Sequence, residues 1–240
     1  MTWPTYQPLG DQGVLIGYEN KIDPGTNEKV RLLSDALEGT GFPWLRDINF
    51  SFRCLLVLYD PDMIHYPQVV KAVREIEAQI RSSHTPMADL YEIPTVYGGQ
   101  HGPDLSRVAE VTGLSPADVT DTFSSTIFTI YFLGFLGAQP YLGGLPKELH
   151  VPRLDSPRLH VPRGSVGMGG IQAGVITVDQ PSGFNYIGRT FLSLYNPGKV
   201  PPTSLKAGDQ IIFPSIPEDR IPAFRGKSPI PRRKGSSIEK

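Results

Sequence analysis

The feature of this chain that most restricts its fold is the pattern after Ile127, where no helical periodicity persists. Short apolar segments are separated there by Gly, Pro and Asp, which favour turns; the segments are 161–168, 174–178, 184–187 and 210–213. The 240 residues include 25 glycines and 24 prolines, a share of about a fifth that stays below the level typical of low-complexity disorder. This pattern predicts a closed or nearly closed β-barrel in the second half of the chain.

The first ninety residues combine strand and helix patterns. Apolar or alternating segments predict strands at 11–18, 44–50, 52–59 and 90–97, and amphipathic spacing predicts helices at 27–37 and 66–82. The resulting order, β-α-β-β-α-β, is that of a split βαβ or ferredoxin-like domain. In such a domain two helices cover one face of a four-stranded sheet.

We therefore expect an α+β protein with three parts. Residues 1–90 form a small α/β domain, and residues 91–217 form the barrel domain, which begins with short helices at 103–112 and 116–124. Residues 218–240 contain seven Lys or Arg and three acidic residues. This last part is expected to be a flexible basic tail.

Composition restricts the partners and the location. The formal net charge is −1, so no chain-wide positive field exists to bind nucleic acid or an anionic membrane surface. Cys54 is the single cysteine, which excludes a disulfide within the chain. Residues 1–13 lack the pattern of a secretory leader, and the most apolar stretch, 127–138, is shorter than the about 20 residues that cross a bilayer. We expect a cytoplasmic protein that contacts neither membrane nor nucleic acid.

Several common catalytic and cofactor motifs are absent from the sequence. It contains no G-x-x-x-x-G-K-[ST] phosphate loop, no H-E-x-x-H motif and no Cys/His cluster with zinc-ligand spacing. Residues 163–167 are similar to the nucleophile elbow of serine hydrolases, but the first glycine of that motif is missing. The sequence therefore predicts neither a bound metal nor a cofactor.

Four loops rich in Gly, Pro, Arg and Tyr carry a family resemblance. They are YGGQHGPDL (97–105), LGFLGAQPYLGGLP (133–146), VPRLDSPRLHVPRGSVGMGG (151–170) and PSGFNYIGRT (181–190). In order and spacing they resemble the loops of the family that includes the B subunit of 5-oxoprolinase, the kinase inhibitor KipI, and allophanate hydrolase subunit 1 with its counterpart in urea carboxylase. The resemblance implies a small α/β domain, a cyclophilin-like β-barrel and a second subunit of related fold.

The activities of that family imply a pocket for a small carboxylate, amide or lactam. Arg153 and Arg158 each follow a proline, and a guanidinium can hold a carboxylate through two parallel hydrogen bonds, so both are candidate catalytic residues. The alternative is that they are surface arginines paired with Asp155 or Asp179. Tyr141 is a further catalytic candidate or a core aromatic residue. The candidate substrate-binding groups of these loops are Ser165, Gln172 and Arg189, although the glycines around the first two are also typical of barrel corners.

Other positions depart from the family pattern. Gln100 stands where the family's Y-G-G-E loop has a carboxylate, and Phe123 stands where the family has a histidine. Gln139 and Ile176 also replace family residues, so all of these departures predict a more apolar substrate pocket of different shape. His101, beside Gln100, is either a replacement acid or base or a solvent-facing histidine.

Three functions follow as hypotheses, in this order. The first is a divergent stand-alone enzyme of a specialised biosynthetic pathway, acting on a small carboxylate, lactam or amide by cyclisation, isomerisation, decarboxylation or hydrolysis. It is suggested by ligand-type residues that are retained beside replaced acid–base positions. The second is a subunit of an ATP-dependent 5-oxoprolinase, allophanate hydrolase or urea carboxylase complex, with a second-subunit homologue or a further copy of the chain as partner. The third is a non-catalytic regulatory binder similar to KipI.

Overall fold

The computed structural model describes residues 3–80 and 88–232. The chain divides into two compact units, Met1–Met87 and Ala88–Lys240. Each unit has an apolar core of its own.

The first unit contains four strands and two helices. They are β1 (Thr5–Leu9), β2 (Gly13–Gly17), α1 (Pro24–Glu38), β3 (Leu45–Phe50), β4 (Cys54–Tyr59) and α2 (Tyr66–Gln79). The strands form an antiparallel sheet in the order β1-β2-β4-β3. Apolar residues of both helices and of the two central strands make its core, as their amphipathic spacing predicts. The last two residues of the predicted helix 66–82 lie outside the described residues.

The predicted β-α-β-β-α-β order of this unit is not confirmed. The observed order is β-β-α-β-β-α, because the sheet takes its fourth strand from Thr5–Leu9 and residues 90–97 belong to the second unit. β1 is an edge strand that contains Pro8 and is exposed over most of its length, so it lacks the apolar alternation by which strands are recognised.

The second unit contains ten strands and several short helices in its described part. The strands are β5 (Leu90–Glu92), β6 (Thr95–Tyr97), β7 (Phe128–Leu133), β8 (Pro140–Gly143), β9 (Arg158–Val161), β10 (Ser165–Gly169), β11 (Gln172–Val175), β12 (Gln180–Ser182), β13 (Asn185–Thr190) and β14 (Gln210–Ile212). The α-helices are α3 (Leu105–Thr112), α4 (Pro116–Ser125) and α5 (Ile221–Phe224). Across the residues that the structure describes, every helix is too short or too polar to span a membrane.

Eight of these strands form one curled sheet. Their order is β5-β14-β7-β8-β11-β10-β13-β6, and β9 pairs with β12 in a separate two-stranded ladder. The chain segment 90–97 supplies both edge strands, since β5 pairs with β14 and β6 pairs with β13. A mixed α/β fold with a curled sheet is therefore confirmed.

The two faces of this sheet differ in chemistry. Val166 and Met168 of β10 are fully buried in the main core of the unit, together with Val175 of β11. Because side chains alternate along a strand, the intervening positions face the other side of the sheet. A smaller apolar cluster covers part of that outer face; it comprises Val161, Ile176, Phe184 and Tyr186.

The predicted flexible tail needs a correction over its described part. Residues 218–224 form a 3-10 helix (Glu218–Arg220) followed by α5. Further on, the Arg232 backbone N–H donates to the Leu90 carbonyl at 2.7 Å, and its guanidinium pairs with Glu92 at 3.1 Å. Backbone pairing therefore ties residues up to Arg232 to the second unit, and residues 233–240 lie outside the described part.

Candidate functional site

A cavity of about 500 Å³ opens beside the C-terminal end of β13. We call it the arginine cavity, because three guanidinium-bearing residues line it: Arg163, Arg189 and Arg225. His101, Ile176 and Phe191 line it as well. Three of the residues selected from the sequence, His101, Ile176 and Arg189, therefore meet here.

Three separate segments supply the arginines. Arg189 lies on β13, where it pairs with Val96 of β6 and Ser165 of β10. Arg163 lies in the turn before β10, and Arg225 directly follows α5. The turn at Arg163 requires glycine next to it: Gly164 has φ +85°, and a Cβ there would lie 2.1 Å from the Thr190 carbonyl oxygen.

Phe191 lies at the centre of the positive groups. The guanidinium carbons of Arg189 and Arg225 are 5.4 and 5.2 Å from its ring centroid. The His101 ring meets Phe191 edge-on, with 5.4 Å between centroids. The aromatic face attracts both cations and limits their positions without neutralising them.

The electrostatics of the cavity favour an anion. Burial lowers the pKa of Arg189, and the charges of Arg163 and Arg225 lower it further, whereas Asp179 acts in the opposite direction. The Asp179 carboxylate is itself engaged by the Arg163 backbone N–H at 2.7 Å. Asp179 thus opposes the positive charges only at Arg189, and a negatively charged ligand would relieve the repulsion of Arg189 by Arg163 and Arg225.

A smaller cavity of about 90 Å³ shares His101 and Arg189 with the first. Gln100, Arg158 and Ser165 line it. The Ser165 hydroxyl donates to the Pro162 carbonyl at 2.7 Å, so it holds the turn that carries Arg163. Five of the residues selected from the sequence therefore border this smaller space.

Arg158 is part of an ion pair and is not a free anion ligand. Its two terminal nitrogens donate to the two carboxylate oxygens of Asp104 at 2.7 and 2.5 Å, and Asp104 raises its pKa. The same carboxylate accepts the Tyr186 backbone N–H at 2.7 Å. The sequence predicted either a ligand role or a pair with Asp155 or Asp179, and the structure assigns a different partner.

Arg153 lies apart from the arginine cavity, in a cluster on the outer face of the sheet. It donates to the Gln172 side-chain oxygen at 3.1 Å, and its guanidinium lies 4.9 Å from the Phe184 ring centroid. Gln139 is close by: it accepts a hydrogen bond from Gln180, and its Nε2 lies 3.9 Å from the position a Cβ of Gly174 would occupy. The lining of the two cavities described above includes none of these residues.

Tyr141 and Phe123 complete the set selected from the sequence. Tyr141 pairs with Gly174 across β8 and β11 and stacks on Phe132 at 4.5 Å between ring centroids. Phe123 is fully buried and contacts Phe128 and Phe213. Phe123 therefore belongs to the aromatic core and lines neither of the two cavities described above.

Three residues of this region are not among the candidates predicted from the sequence: Arg163, Arg225 and Glu218. Glu218 accepts a hydrogen bond from Gln100 at 3.1 Å and pairs with His101 at 3.0 Å. Arg163 follows Pro162, so it carried the same proline–arginine signal as the two arginines that were chosen. Arg225 and Glu218 carried no comparable signal, since both lie in the segment interpreted as a tail. Within residues 3–80 and 88–232, no cluster of three or more His, Cys, Asp or Glu could hold a metal ion.

Comparison with known proteins assigns the family. The family model described as "Carboxyltransferase domain, subdomain C and D" matches residues 4–205. The chain belongs to this family. Among its curated relatives, the B subunit of 5-oxoprolinase from Bacillus subtilis (strain 168) is 36% identical over 232 residues, which are 92% of this chain and 97% of that protein. The corresponding 5-oxoprolinase protein of Escherichia coli O157:H7 is 48% identical over 210 residues, which are 85% of this chain and 93% of that protein.

A solved structure of the family agrees on the fold. The urea amidolyase of K. lactis superimposes with a TM-score of 0.75 at 18% identity, over 95% of this chain and 16% of that one. At this identity the likeness concerns the fold alone. The mixed α/β architecture with its curled sheet is therefore shared with part of that structure.

Proposed function

We propose that the chain is the B-type subunit of an enzyme that opens 5-oxoproline or a closely related lactam carboxylate. The 5-oxoprolinase relatives from B. subtilis and E. coli support this, because the match extends over 97% and 93% of their own lengths. A subunit requires a partner, and we propose a homologue of the second 5-oxoprolinase subunit. The match over nearly the whole length of these relatives favours a subunit over a stand-alone enzyme.

The observation that carries the proposal is the arginine cavity. A guanidinium binds a carboxylate through two parallel hydrogen bonds, and three guanidinium-bearing residues line this cavity. The volume of about 500 Å³ lies in the range of small-molecule sites, about 300–1,000 Å³. We propose that Arg189 and Arg225 hold the substrate carboxylate and that Phe191 packs against its apolar ring.

The curled sheet supports a finer proposal about the fold. The segment 90–97 pairs with β14 at one edge and with β13 at the other, so one stretch of chain joins both edges. We propose that the second unit is the cyclophilin-like barrel that the sequence resemblance implies.

Ligand binding to the purified chain tests the role of the cavity. 5-Oxoproline is expected to bind, and 2-pyrrolidinone, the same lactam without the carboxylate, is expected not to. Arg225→Gln is expected to weaken binding of 5-oxoproline by about 10- to 100-fold, the range of one charged hydrogen-bonding partner of about 1.5–3 kcal/mol. Isothermal titration calorimetry measures both effects.

Arg74→Gln, which removes an equal charge from the first unit, is the control and should bind as the unaltered chain does. Equal affinity for the two lactams would refute the proposed role of the cavity.

Turnover separates the candidate functions. The chain is assayed alone and after co-expression with a second-subunit homologue, and release of glutamate from 5-oxoproline and ATP is measured. Activity that needs the partner supports the proposed subunit. A stand-alone enzyme is the second candidate, and activity of the lone chain would establish it. Binding without turnover in either preparation would favour a regulatory binder.

A further inference from the structure

The imidazole of His101 is held between two groups at the border of both cavities. Its Nε2 lies 3.0 Å from Oε1 of Glu218, and its ring meets Phe191 edge-on. The side chain is only 11% exposed. An imidazole that lines two adjoining cavities and is fixed on two sides is positioned to act on what those cavities hold.

Backbone pairing brings Glu218 to this place from a distant part of the chain. The Ile216 N–H donates to the Thr95 carbonyl at 3.0 Å, and Ser215 bridges with Thr95 at the start of β6. The loop that follows β6 carries Gln100 and His101. Its path is fixed too, because the Gly98 N–H donates to the Ile187 carbonyl at 3.0 Å. Two segments more than a hundred residues apart in sequence are thus held side by side.

The contact places a carboxylate beside a loop that carries none of its own at this point. Gln100 is neutral, and its Nε2 donates to the same Oε1 of Glu218 at 3.1 Å. The hydrogen bonds from His101 and Gln100 lower the pKa of Glu218, so the carboxylate is ionised near neutral pH. An ionised acceptor at Nε2 selects the tautomer with the proton on Nε2 and leaves the lone pair on Nδ1.

We infer that His101 is the acid–base residue of the arginine cavity and that Glu218 is its positioning residue. This inference rests on the proposed function. His101 takes up and releases one proton at Nδ1 while Nε2–H remains hydrogen-bonded to Glu218. Glu218 contacts His101 directly, and the other charged or titratable groups that line the two cavities are Arg158, His160, Arg163, Tyr186, Arg189, Tyr195 and Arg225.

The test moves the carboxylate from one side of the contact to the other. Glu218→Gln removes the negative charge at position 218. The double variant Gln100→Glu/Glu218→Gln has a carboxylate on the loop at position 100 and an amide at position 218. Asp219→Asn is the matched control, because it removes the neighbouring exposed charge. Each variant is assembled with the second subunit, and kcat and KM for 5-oxoproline are measured from pH 5 to pH 9.

We expect Glu218→Gln to lower kcat by about 100-fold, the lower end of general acid–base contributions, with KM unchanged. The double variant should recover at least about a tenth of the original kcat, and Asp219→Asn should match the unaltered enzyme.

A purely structural contact would give a different pattern. Glu218→Gln would then lower the melting temperature while leaving kcat and its pH profile unchanged, and this result would overturn the inference. A double variant no more active than Glu218→Gln would overturn it as well. Inactivity of the unaltered complex would instead refute the proposed function, so the two failures are distinguishable.

Discussion

At the residue scale, the candidates from the sequence divide between residues that line the arginine cavity and residues that the fold places elsewhere. His101, Ile176 and Arg189 were selected from the sequence and do line the arginine cavity. Arg158 was selected as a ligand, but its charge is engaged by Asp104, which lies 54 residues away along the chain. Such a partner cannot be predicted from local spacing, because only the tertiary fold brings Asp104, just before α3, next to Arg158 of β9.

The ion pair between Asp104 and Arg158 gives a stability prediction. Asp104 is 4% exposed and accepts three hydrogen bonds, two from Arg158 and one from the Tyr186 backbone. Asp104→Asn should lower the free energy of unfolding by about 1–3 kcal/mol, less than for a fully buried pair because Arg158 is partly solvated. Urea unfolding at pH 7 measures it.

The exposed pair between Lys71 and Glu75 provides the comparison for that measurement. Its two charged atoms are 3.9 Å apart on the surface of α2, so Glu75→Gln should cost no more than about 0.5 kcal/mol. Equal losses for Asp104→Asn and Glu75→Gln would contradict the structural role assigned to Asp104.

At the scale of secondary structure, the sequence predicted elements with a clear apolar pattern and missed the exposed strand β1. The apolar segments after Ile127 correspond to strands, but the predicted strand 161–168 is interrupted by a turn between β9 and β10. Both α1 and α2 were predicted, because their apolar residues repeat with helical spacing. β1 was missed, since its stability comes from pairing with β2 rather than from burial of its own side chains.

Two glycines on the outer face of the curled sheet give a prediction at this scale. A Cβ at Gly167 of β10 would lie 2.0 Å from the Asn185 carbonyl oxygen of β13, whereas a Cβ at Gly174 of β11 would meet nothing closer than 3.5 Å. Gly167→Ala should force the strands apart and lower the free energy of unfolding by about 1–3 kcal/mol or more.

Gly174→Ala is the matched control, because both glycines lie on neighbouring strands and pair with each other. It should change stability by less than about 1 kcal/mol, since the added methyl group makes only ordinary contacts. Thermal unfolding followed by circular dichroism compares the two variants. A Gly167→Ala protein as stable as Gly174→Ala would show that the strand spacing at this point is not limiting.

At the scale of the whole molecule, long-range strand pairing decides which unit a segment joins when its local sequence pattern fits either unit. The segment 90–97 follows the first unit in sequence, and its local pattern suits a final strand of that unit equally well. It pairs instead with β13 and β14, which lie about a hundred residues further on. The arginine cavity depends on this choice, because the loop that carries His101 begins where β6 ends.

Because every residue that lines the arginine cavity belongs to the second unit, damage to the core of the first unit should leave ligand binding intact. Leu55 of β4 and Ile187 of β13 are both fully buried, each in the core of its own unit. Truncating either to alanine should lower the stability of its unit by about 2–5 kcal/mol.

Leu55→Ala should bind 5-oxoproline as the unaltered chain does. Ile187→Ala should bind it more weakly, because β13 carries Arg189 and the Ile187 carbonyl anchors the loop before His101. Calorimetric titration at 25 °C, after circular dichroism has established that both variants are folded, gives the two affinities. Weakened binding in Leu55→Ala would mean that the cavity depends on the first unit.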